Sequence, residues 1–256
     1  LNKQIEMLVT SPIPSDLSKY YDSEEYVSHH NTKKTLLNFI YNTVKKYSFK
    51  KKQNLFNDHQ KNKTVLDIGT GTGDFLFYCK QKGFLVTGIE PSDIARQQAI
   101  EKKVEVHKDL KDVLGKKFDV ITMWHVLEHV PNLYEYLEQL KNLLNDNGKL
   151  IVAVPNFKSF DADYYKEYWA AYDVPRHLWH FSQKSIQELF KSVDLNVVKT
   201  HPLKFDSFYV SLLSEKNKTG KANFVKAFWI GLKSNLSARS TKEYSSLIYE
   251  LKHTQN

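Results

Sequence analysis

The chain lacks the residues that mark several classes of protein. It has one cysteine, Cys79, so an intrachain disulfide and a cysteine-rich zinc site are both excluded. No apolar run approaches the roughly 18 residues that a membrane-spanning helix needs, so we predict no membrane span. The first ten residues also lack the basic start and apolar stretch of a secretory signal. We therefore expect a cytoplasmic protein in which Cys79 is buried.

Positive charge is concentrated at the two ends of the chain. The net charge is +8, yet residues 64–203 contain 17 basic and 19 acidic residues. Residues 1–63 carry 11 lysines and 6 acidic residues, and residues 204–256 carry 9 basic and 4 acidic residues. Such flanks suit an acidic partner such as RNA or anionic lipid, although a solvated surface is the commoner explanation.

Strands and helices are predicted to alternate from residue 64 onward. Apolar strands are predicted at Thr64–Ile68, Leu85–Ile89, 104–107, 118–123, 150–154, 196–199 and 246–251. Helices are predicted at Asp74–Gln81, 92–101, 133–144 and 182–192. Strands separated by helices of this length indicate a parallel sheet with right-handed crossovers. We predict a doubly wound, Rossmann-like α/β sheet of seven strands, mostly parallel with one antiparallel strand.

Two further regions flank or interrupt this sheet. Residues 1–60 are predicted to form an N-terminal helical segment, with an irregular start, a helix from residue 32 to 46 and a polar loop from residue 50. Residues 61–256 are predicted to form the main domain, with insertions at about 156–181 and 205–240. The first insertion is aromatic, so its rings either pack it onto the core or line a pocket. These rings belong to Tyr164, Tyr165, Tyr168, Trp169, Tyr172 and Trp179.

A glycine-rich turn follows the first strand of the core. Asp67 precedes glycines at positions 69, 71 and 73, and Thr70 lies between the first two. Glycine allows a tight turn and a close approach of ligand to backbone, and the helix amino end that follows suits an anion. The dinucleotide pattern is Gly-x-Gly-x-x-Gly, so this spacing disfavours a nicotinamide cofactor.

Acidic residues follow the second and third strands. Glu90, followed by Pro91, stands at the carboxyl end of the second strand, where a carboxylate can accept hydrogen bonds from both ribose hydroxyls. Asp109 and Leu110 follow the third strand. Ligands bind at the carboxyl ends of strands in such sheets, so we expect these residues to face one ligand.

The pattern Asp-x-Gly-x-Gly-x-Gly resembles motif I of class I S-adenosylmethionine-dependent methyltransferases. Residues 118–131 and 147–156 resemble the fourth and fifth strands of the branch that includes ubiquinone-biosynthesis O-methyltransferases and uncharacterised bacterial methyltransferases. The likeness covers about residues 60–200, and residues 20–29 look like a cofactor-covering segment. It implies S-adenosylmethionine as cofactor and S-adenosylhomocysteine as product, with Asp109 either meeting the adenine or serving only as a turn residue. The implied cofactor-binding residues are Asp67, Gly69, Thr70, Gly71, Gly73, Glu90, Pro91, Asp109, Leu110, Trp124 and His125.

Histidines supply the candidate proton acceptors. Methyl transfer to a hydroxyl requires removal of a proton, and the ordinary histidine pKa of about 6.5 suits that task. His125 and His129 are predicted to share a helical face, and with His177 they are the candidate catalytic residues. Packing against backbone is the alternative for His129, and His180 is expected to be structural. A metal set that adds Glu128 resembles those of some methyltransferases, but Mg²⁺ prefers oxygen ligands, so we predict no metal.

The sequence thus predicts a methyltransferase that acts on a small-molecule acceptor, by O-methylation with a histidine base. An RNA or protein methyltransferase recruited through the basic flanks is the alternative, and a cofactor-binding protein without catalysis is the third hypothesis. Adenine or cytosine amino methylation usually requires Asn/Asp-Pro-Pro-Tyr/Phe after the fourth strand. This chain has Met-Trp-His-Val at 123–126, which argues against that subclass, and no nucleic-acid-binding motif is evident, so a nucleic-acid partner is disfavoured but left open. The acceptor and the oligomeric state are not predicted.

Overall fold

A computed structural model describes residues 5–20, 36–57 and 62–254. Within these ranges the strands are β1 (Leu8–Val9), β2 (Thr64–Ile68), β3 (Leu85–Ile89), β4 (Glu105–His107), β5 (Phe118–Trp124), β6 (Leu144–Pro155), β7 (Trp179–His180), β8 (Leu195–Pro202) and β9 (Ser246–His253). The helices are α1 (Leu36–Asn54), α2 (Asp74–Gln81), α3 (Asp93–Glu101), α4 (Leu133–Leu143), α5 (Phe160–Tyr165), α6 (Gln183–Lys191), α7 (Asp206–Thr219) and α8 (Phe224–Thr241). No helix in the described part of the chain has the length and apolar composition needed to span a bilayer.

Seven strands form one sheet in the order β4-β3-β2-β5-β6-β9-β8. Strand β3 pairs in parallel with both β2 and β4, and the register places Asp67 opposite Gly88 and Ile89 opposite His107. Strand β9 runs antiparallel to β8. The predicted doubly wound sheet, mostly parallel with one antiparallel strand, is confirmed.

The chain divides into two compact units. We call Ser18–Thr122 with Asn142–Leu150 the turn unit, because it contains the glycine-rich turn. Leu1–Leu17, Met123–Lys141 and Ile151–Asn256 form the insertion unit. The division between a covering segment at 1–60 and a main domain at 61–256 stays a prediction, as residues 21–35 lie outside the described ranges.

Helix α2 of the turn unit is held by its apolar face. Phe75, Leu76 and Cys79 on this face are buried, and burial raises the pKa of the Cys79 thiol. The thiol therefore stays protonated at neutral pH and acts as a small apolar group. The expectation that Cys79 is buried is confirmed.

The predicted end of the first long helix is wrong. Helix α1 continues to Asn54, through the lysines at 50–52 that were expected to form a polar loop. The rings of Phe49 and Phe56 pack against the ring of Phe75, with centroids 5.7 and 6.4 Å from it. This tertiary packing outweighs the polar composition, which is the usual limit of local propensity. The start of this predicted helix, residues 32–35, lies outside the described residues.

The irregular start predicted for residues 1–18 contains a short strand. Leu8 pairs with His180 and Val9 with Trp179, so β1 and β7 form an antiparallel pair. The backbone N–H of Thr10 extends this ladder by donating to the Leu178 carbonyl at 3.0 Å. A partner strand that is remote in the sequence creates β1, so local sequence could not reveal it.

Three predicted sheet strands are shorter than the observed ones by two residues or more. Strand β6 begins at Leu144 rather than residue 150, and β8 covers Leu195–Pro202 rather than 196–199. Strand β9 likewise extends to His253. The ladder between β8 and β9 runs from Leu195 to Pro202 with one irregularity, so pairing keeps polar end residues extended.

The first insertion packs around a buried carboxylate. Helix α5 and short 3-10 turns form much of this insertion. Tyr165 and Trp169 are buried with Val210 of α7 and Ile230 of α8. Asp161 accepts hydrogen bonds from Trp169 Nε1 at 2.8 Å and from the hydroxyls of two serines, Ser234 at 2.6 Å and Ser245 at 2.7 Å. For these two rings the packing alternative is therefore the correct one.

Candidate functional site

Three glycines give the turn after β2 its shape. Gly69, Gly71 and Gly73 have φ values of 71°, 55° and 73°, in the left-handed region that favours glycine. The N–H groups of Gly69 and Thr70 donate to the Ile89 carbonyl at 2.8 and 3.1 Å. The turn is thereby fixed to the end of β3, and α2 begins directly after it.

The glycines serve different purposes. A Cβ added at Gly73 would lie 2.6 Å from the Cβ of Ala99, so this glycine permits close packing of α2 on α3. A Cβ added at Gly71 would meet nothing within 4 Å. The backbone of Gly71 therefore faces open space, which a ligand can approach.

Glu90 lies directly beside this open space. Its side chain is buried, Oε2 accepts from the N–H of Gly71 at 2.8 Å and Oε1 accepts from the N–H of Ser92 at 2.9 Å. A carboxylate has about four lone-pair sites, so each oxygen keeps capacity for a ribose hydroxyl. The glycine turn and the acidic motif, which lie on either side of α2 and β3 in the sequence, are brought together, as a nucleoside site requires.

Asp67 is a buried acid beneath the turn. It accepts a hydrogen bond from the Thr122 hydroxyl at 2.5 Å. Burial raises its pKa from 3.8 to about 6, although the hydrogen bond from Thr122 opposes the shift. Carboxyl groups whose pKa is raised by burial are often found at functional sites.

The third acidic motif has a local structural role. Asp109 accepts from the N–H of Lys111 at 2.9 Å and caps the 3-10 turn Leu110–Val113. Leu110 is buried and Pro91 is exposed. The interpretation of Asp109 as a turn residue is thus supported, and its contact with adenine stays a prediction.

The segment after β5 does not form the predicted helix. His125 has φ 57°, and its N–H donates to the Ala153 carbonyl at 2.9 Å. A 3-10 turn, Leu127–His129, follows it. The prediction that His125 and His129 share a helical face is therefore wrong, because the left-handed residue ends the strand with a sharp turn. Non-glycine residues in this conformation cluster at functional sites.

His125 lies between two carboxylates of the insertion unit. Its Nε2 is 3.1 Å from Oδ2 of Asp206, and its Nδ1 is 3.4 Å from Oε1 of Glu128. Burial alone would lower the pKa of His125, but the contacts with Asp206 and Glu128 outweigh it and raise the pKa to about 10. The ring keeps 38% of its exposure, so solvent moderates the effect without reversing it. At neutral pH His125 is an imidazolium.

Glu128, His129 and His177 form what we call the histidine cluster, whose ligand atoms lie within 4.8 Å of one another. Nδ1 of His129 is 3.1 Å from the Arg176 carbonyl, and Nδ1 of His177 is 2.9 Å from the Ala171 carbonyl. A carbonyl only accepts, so each Nδ1 carries a proton and, in the neutral rings, Nε2 carries the lone pair.

Burial sets the charge states within this cluster. It lowers the pKa of His129, which therefore stays neutral at pH 7. Burial would raise the pKa of Glu128, but the hydrogen bond and charge of His125 lower it. The cluster thus combines a carboxylate with a neutral imidazole, a donor set that also suits a divalent metal. The prediction of no metal remains untested.

His180 fits the expected structural role. Thr10 Oγ1 donates its single proton to the His177 carbonyl at 2.6 Å, so Nε2 of His180 must be the donor in its 3.1 Å contact with Thr10. Burial lowers the pKa of His180 to about 4. The ring is therefore neutral and ties β7 to the chain after β1.

Sequence reasoning missed Asp206, which is distant in the sequence from its partner His125. The only available signal was an acid at the start of a predicted helical insertion. Sequence reasoning also missed Lys102, whose Nζ contacts the Thr72 carbonyl at 2.6 Å and Asp74 at 2.8 Å. Burial would raise the pKa of Asp74, but hydrogen bonds from Lys102 and Lys45 lower it to about 2.

The fold and the turn define the class of Rossmann-like S-adenosylmethionine-dependent methyltransferases. A family model described as "Methyltransferase domain" matches residues 42–200, more than half of the chain. The chain therefore belongs to this methyltransferase domain family. The predictions of the class and of S-adenosylmethionine as its cofactor are confirmed.

Relatives of known sequence support this assignment. The ubiquinone biosynthesis O-methyltransferase of Haemophilus ducreyi is 37% identical over 108 residues, which are 37% of this chain and 46% of that protein. An uncharacterized methyltransferase of Alkaliphilus oremlandii is 34% identical over 102 residues, 37% of this chain and 47% of that protein. The chain spans about half the length of the curated relatives it matches.

Solved structures share the fold. Magnesium protoporphyrin IX methyltransferase from Synechocystis PCC 6803, with bound SAH, has a TM-score of 0.59 and 14% identity over 92% of this chain and 97% of that one. Phosphoethanolamine N-methyltransferase 2 of Haemonchus contortus, in complex with S-adenosyl-L-methionine, has a TM-score of 0.58 and 15% identity over 82% of this chain and 53% of that one. At this identity the likeness concerns the fold alone.

Proposed function

We propose that the chain methylates a hydroxyl group of a small-molecule acceptor and that His129 removes the hydroxyl proton. The relatives named O-methyltransferases support the choice of oxygen. S-adenosylmethionine, when bound, supplies the electrophilic methyl group and its own leaving group. The protein then has to orient the acceptor and accept one proton.

The observation that carries this proposal is the contrast between two histidines. A histidine acts as a general base only in its neutral form, and the lowered pKa of His129 keeps it neutral at pH 7. The raised pKa of His125 keeps that ring protonated. We therefore assign proton acceptance to His129 and a charged positioning role to His125. His177, whose ring centroid lies 4.5 Å from that of His129, would fix the orientation of the base.

Residues of the turn unit would hold the cofactor. Glu90 offers carboxylate oxygens for the ribose hydroxyls, and the open backbone of Gly71 offers room for a close approach. Burial raises the pKa of Asp67 and the buried Thr70 hydroxyl opposes that shift, so a role for Thr70 toward a ligand is a proposal from the sequence pattern. Roles for Pro91, Leu110 and Trp124 remain proposals from the sequence pattern.

Transfer of a labelled methyl group from S-adenosylmethionine to a panel of phenols, catechols and amines tests this function. Turnover should decrease only as the pH falls through the pKa of His129, which lies below the ordinary histidine value of 6.5. Around neutral pH turnover should be constant. His129→Gln should reduce turnover about 100-fold or more with unchanged cofactor affinity. His253→Gln, at the end of β9, is the matched control. Turnover that rises only near pH 10, or selective methylation of amines, would contradict the proposal.

The same assay tests the absence of a metal. The His125 imidazolium already provides a positive charge 3.4 Å from Glu128, so we expect EDTA to leave turnover unchanged. Loss of turnover with EDTA, restored by Zn²⁺ or Mn²⁺, would instead show that the histidine cluster holds a metal.

A further inference from the structure

Helix α8 is apolar on two faces, and the structure covers one of them. Ala227, Ile230 and Ala238 are buried against the rest of the insertion unit. The opposite side carries Val225, Phe228, Trp229 and Leu236 at helical spacing, and all four are exposed. A surface helix normally presents polar residues to water, so this second apolar face requires a partner.

The amino-terminal ends of α7 and α8 enlarge this surface. Phe205 and Tyr209 are 65% and 64% exposed, and Phe224 is 70% exposed. Phe208 stacks on Phe228 with centroids 5.5 Å apart, so the two helices present one continuous surface. We call this surface the outer face; its exposed members are Phe205, Tyr209, Phe224, Val225, Phe228, Trp229 and Leu236.

The two helices form a rigid support for the outer face. A Cβ added at Gly231 would lie 2.9 Å from the Cα of Phe208, so the backbones are in close contact. Asn235 Nδ2 donates to the Lys204 carbonyl at 2.9 Å and contacts the Ser207 hydroxyl at 2.8 Å. The exposed rings are therefore held outward by packing beneath them.

The charge of the segment that contains α7 and α8 indicates the kind of partner. Residues 204–242 contain eight basic and two acidic residues. Both acids are engaged within the protein: Glu215 is buried against Lys226 at 3.0 Å, and Asp206 contacts His125. Lys204, Lys221 and Lys233 are exposed beside the apolar side chains.

We propose that the outer face docks on an anionic lipid surface. Exposed aromatic rings between lysines match the headgroup region, where rings enter the boundary of the acyl chains and lysines meet phosphates. A second copy of the chain suits the face less well, because a two-fold contact would bring its lysines together without an exposed acid. This docking is independent of the proposed reaction and brings the protein to a membrane without crossing it.

Cosedimentation with vesicles tests the proposal. We expect binding to phosphatidylcholine vesicles that contain phosphatidylglycerol and little binding to phosphatidylcholine alone. Lys204→Ala with Lys233→Ala should weaken binding about 25-fold, from roughly fivefold per lysine. Phe228→Ser should weaken it about tenfold or more.

Matched controls separate docking from folding and from catalysis. Lys184→Ala with Lys191→Ala on α6, and Ile94→Ser at an exposed position of α3, should leave binding unchanged. Trp229 fluorescence should shift to the blue on vesicle addition, and Trp229→Phe should abolish the shift. Methyl transfer to soluble acceptors should be the same in the lysine double variant and the wild type. Vesicle binding therefore tests the docking proposal, and methyl transfer tests the proposed reaction independently of it.

Three results would overturn the docking proposal. The first is absence of binding to anionic vesicles by the folded wild type. The second is equal binding by the lysine double variant. The third is self-association in sedimentation that Phe228→Ser abolishes, without vesicle binding, since the outer face would then be an interface between copies.

Discussion

Replacement of Asp67 by asparagine should stabilise the protein while it weakens cofactor binding. The pKa of Asp67 is raised from 3.8 to about 6 by burial. Each pKa unit corresponds to about 1.4 kcal/mol, so the ionised carboxylate lowers the free energy of unfolding by at most about 3 kcal/mol at neutral pH. Asparagine keeps an oxygen that can accept the Thr122 hydroxyl proton and carries no charge.

The direction of the stability change follows from its dependence on pH. The folded chain binds a proton at Asp67 more tightly than the unfolded chain, so folding is favoured at low pH. The stability that Asp67 contributes is present below pH 3.8 and is lost as the pH rises through about 6. The advantage of Asp67→Asn should therefore grow from pH 4 to 7 and remain constant above it.

Urea unfolding of both proteins across this pH range measures the effect, and calorimetry measures the affinity for S-adenosylmethionine. Asp119→Asn is a control of opposite sign. Burial would raise the pKa of Asp119, but hydrogen bonds from Thr64 and Asn145 lower it, so its loss should destabilise the protein at pH 7. If Asp67→Asn were no more stable than the wild type at neutral pH, the assignment of a costly buried carboxylate would be refuted.

Three further predictions concern the glycine turn and His125. Gly73→Ala should lower the free energy of unfolding by about 2–5 kcal/mol, since it combines backbone strain with a clash at Ala99. Gly71→Ala should lower it by only about 1–2 kcal/mol yet weaken cofactor binding at least about tenfold in calorimetry; wild-type affinity would contradict the open space there. Asp206→Asn should move the pKa of His125 down from about 10 towards its ordinary value, as NMR titration would show, and an unchanged pKa would exclude the ion pair.

The core of the fold was predictable because its pattern is local. Buried parallel strands are continuous apolar runs, so β2 and β3 were located to the residue. The glycine pattern is also local, since left-handed backbone at positions 69, 71 and 73 needs glycine whatever surrounds it. The boundaries of α1 and β6 were not predictable, because aromatic packing and strand pairing set them.

The candidate site was predictable in part. The placement of Glu90 beside Gly71 follows from parallel strand order, which brings the ends of β2 and β3 to one edge. The charge state of His125 was not predictable, because its partner Asp206 is distant in sequence. The choice between His125 and His129 as base depends on that charge state.

The sequence by itself determined the class of protein, the cofactor and the alternation of strands and helices, since these depend on residue types at fixed short spacings. Tertiary structure alone decided which histidine is charged, which carboxylate is strained by burial, and which face of α8 remains uncovered. Each of these depends on the distance between groups far apart in the chain and on how much water reaches them, and both quantities arise only on folding.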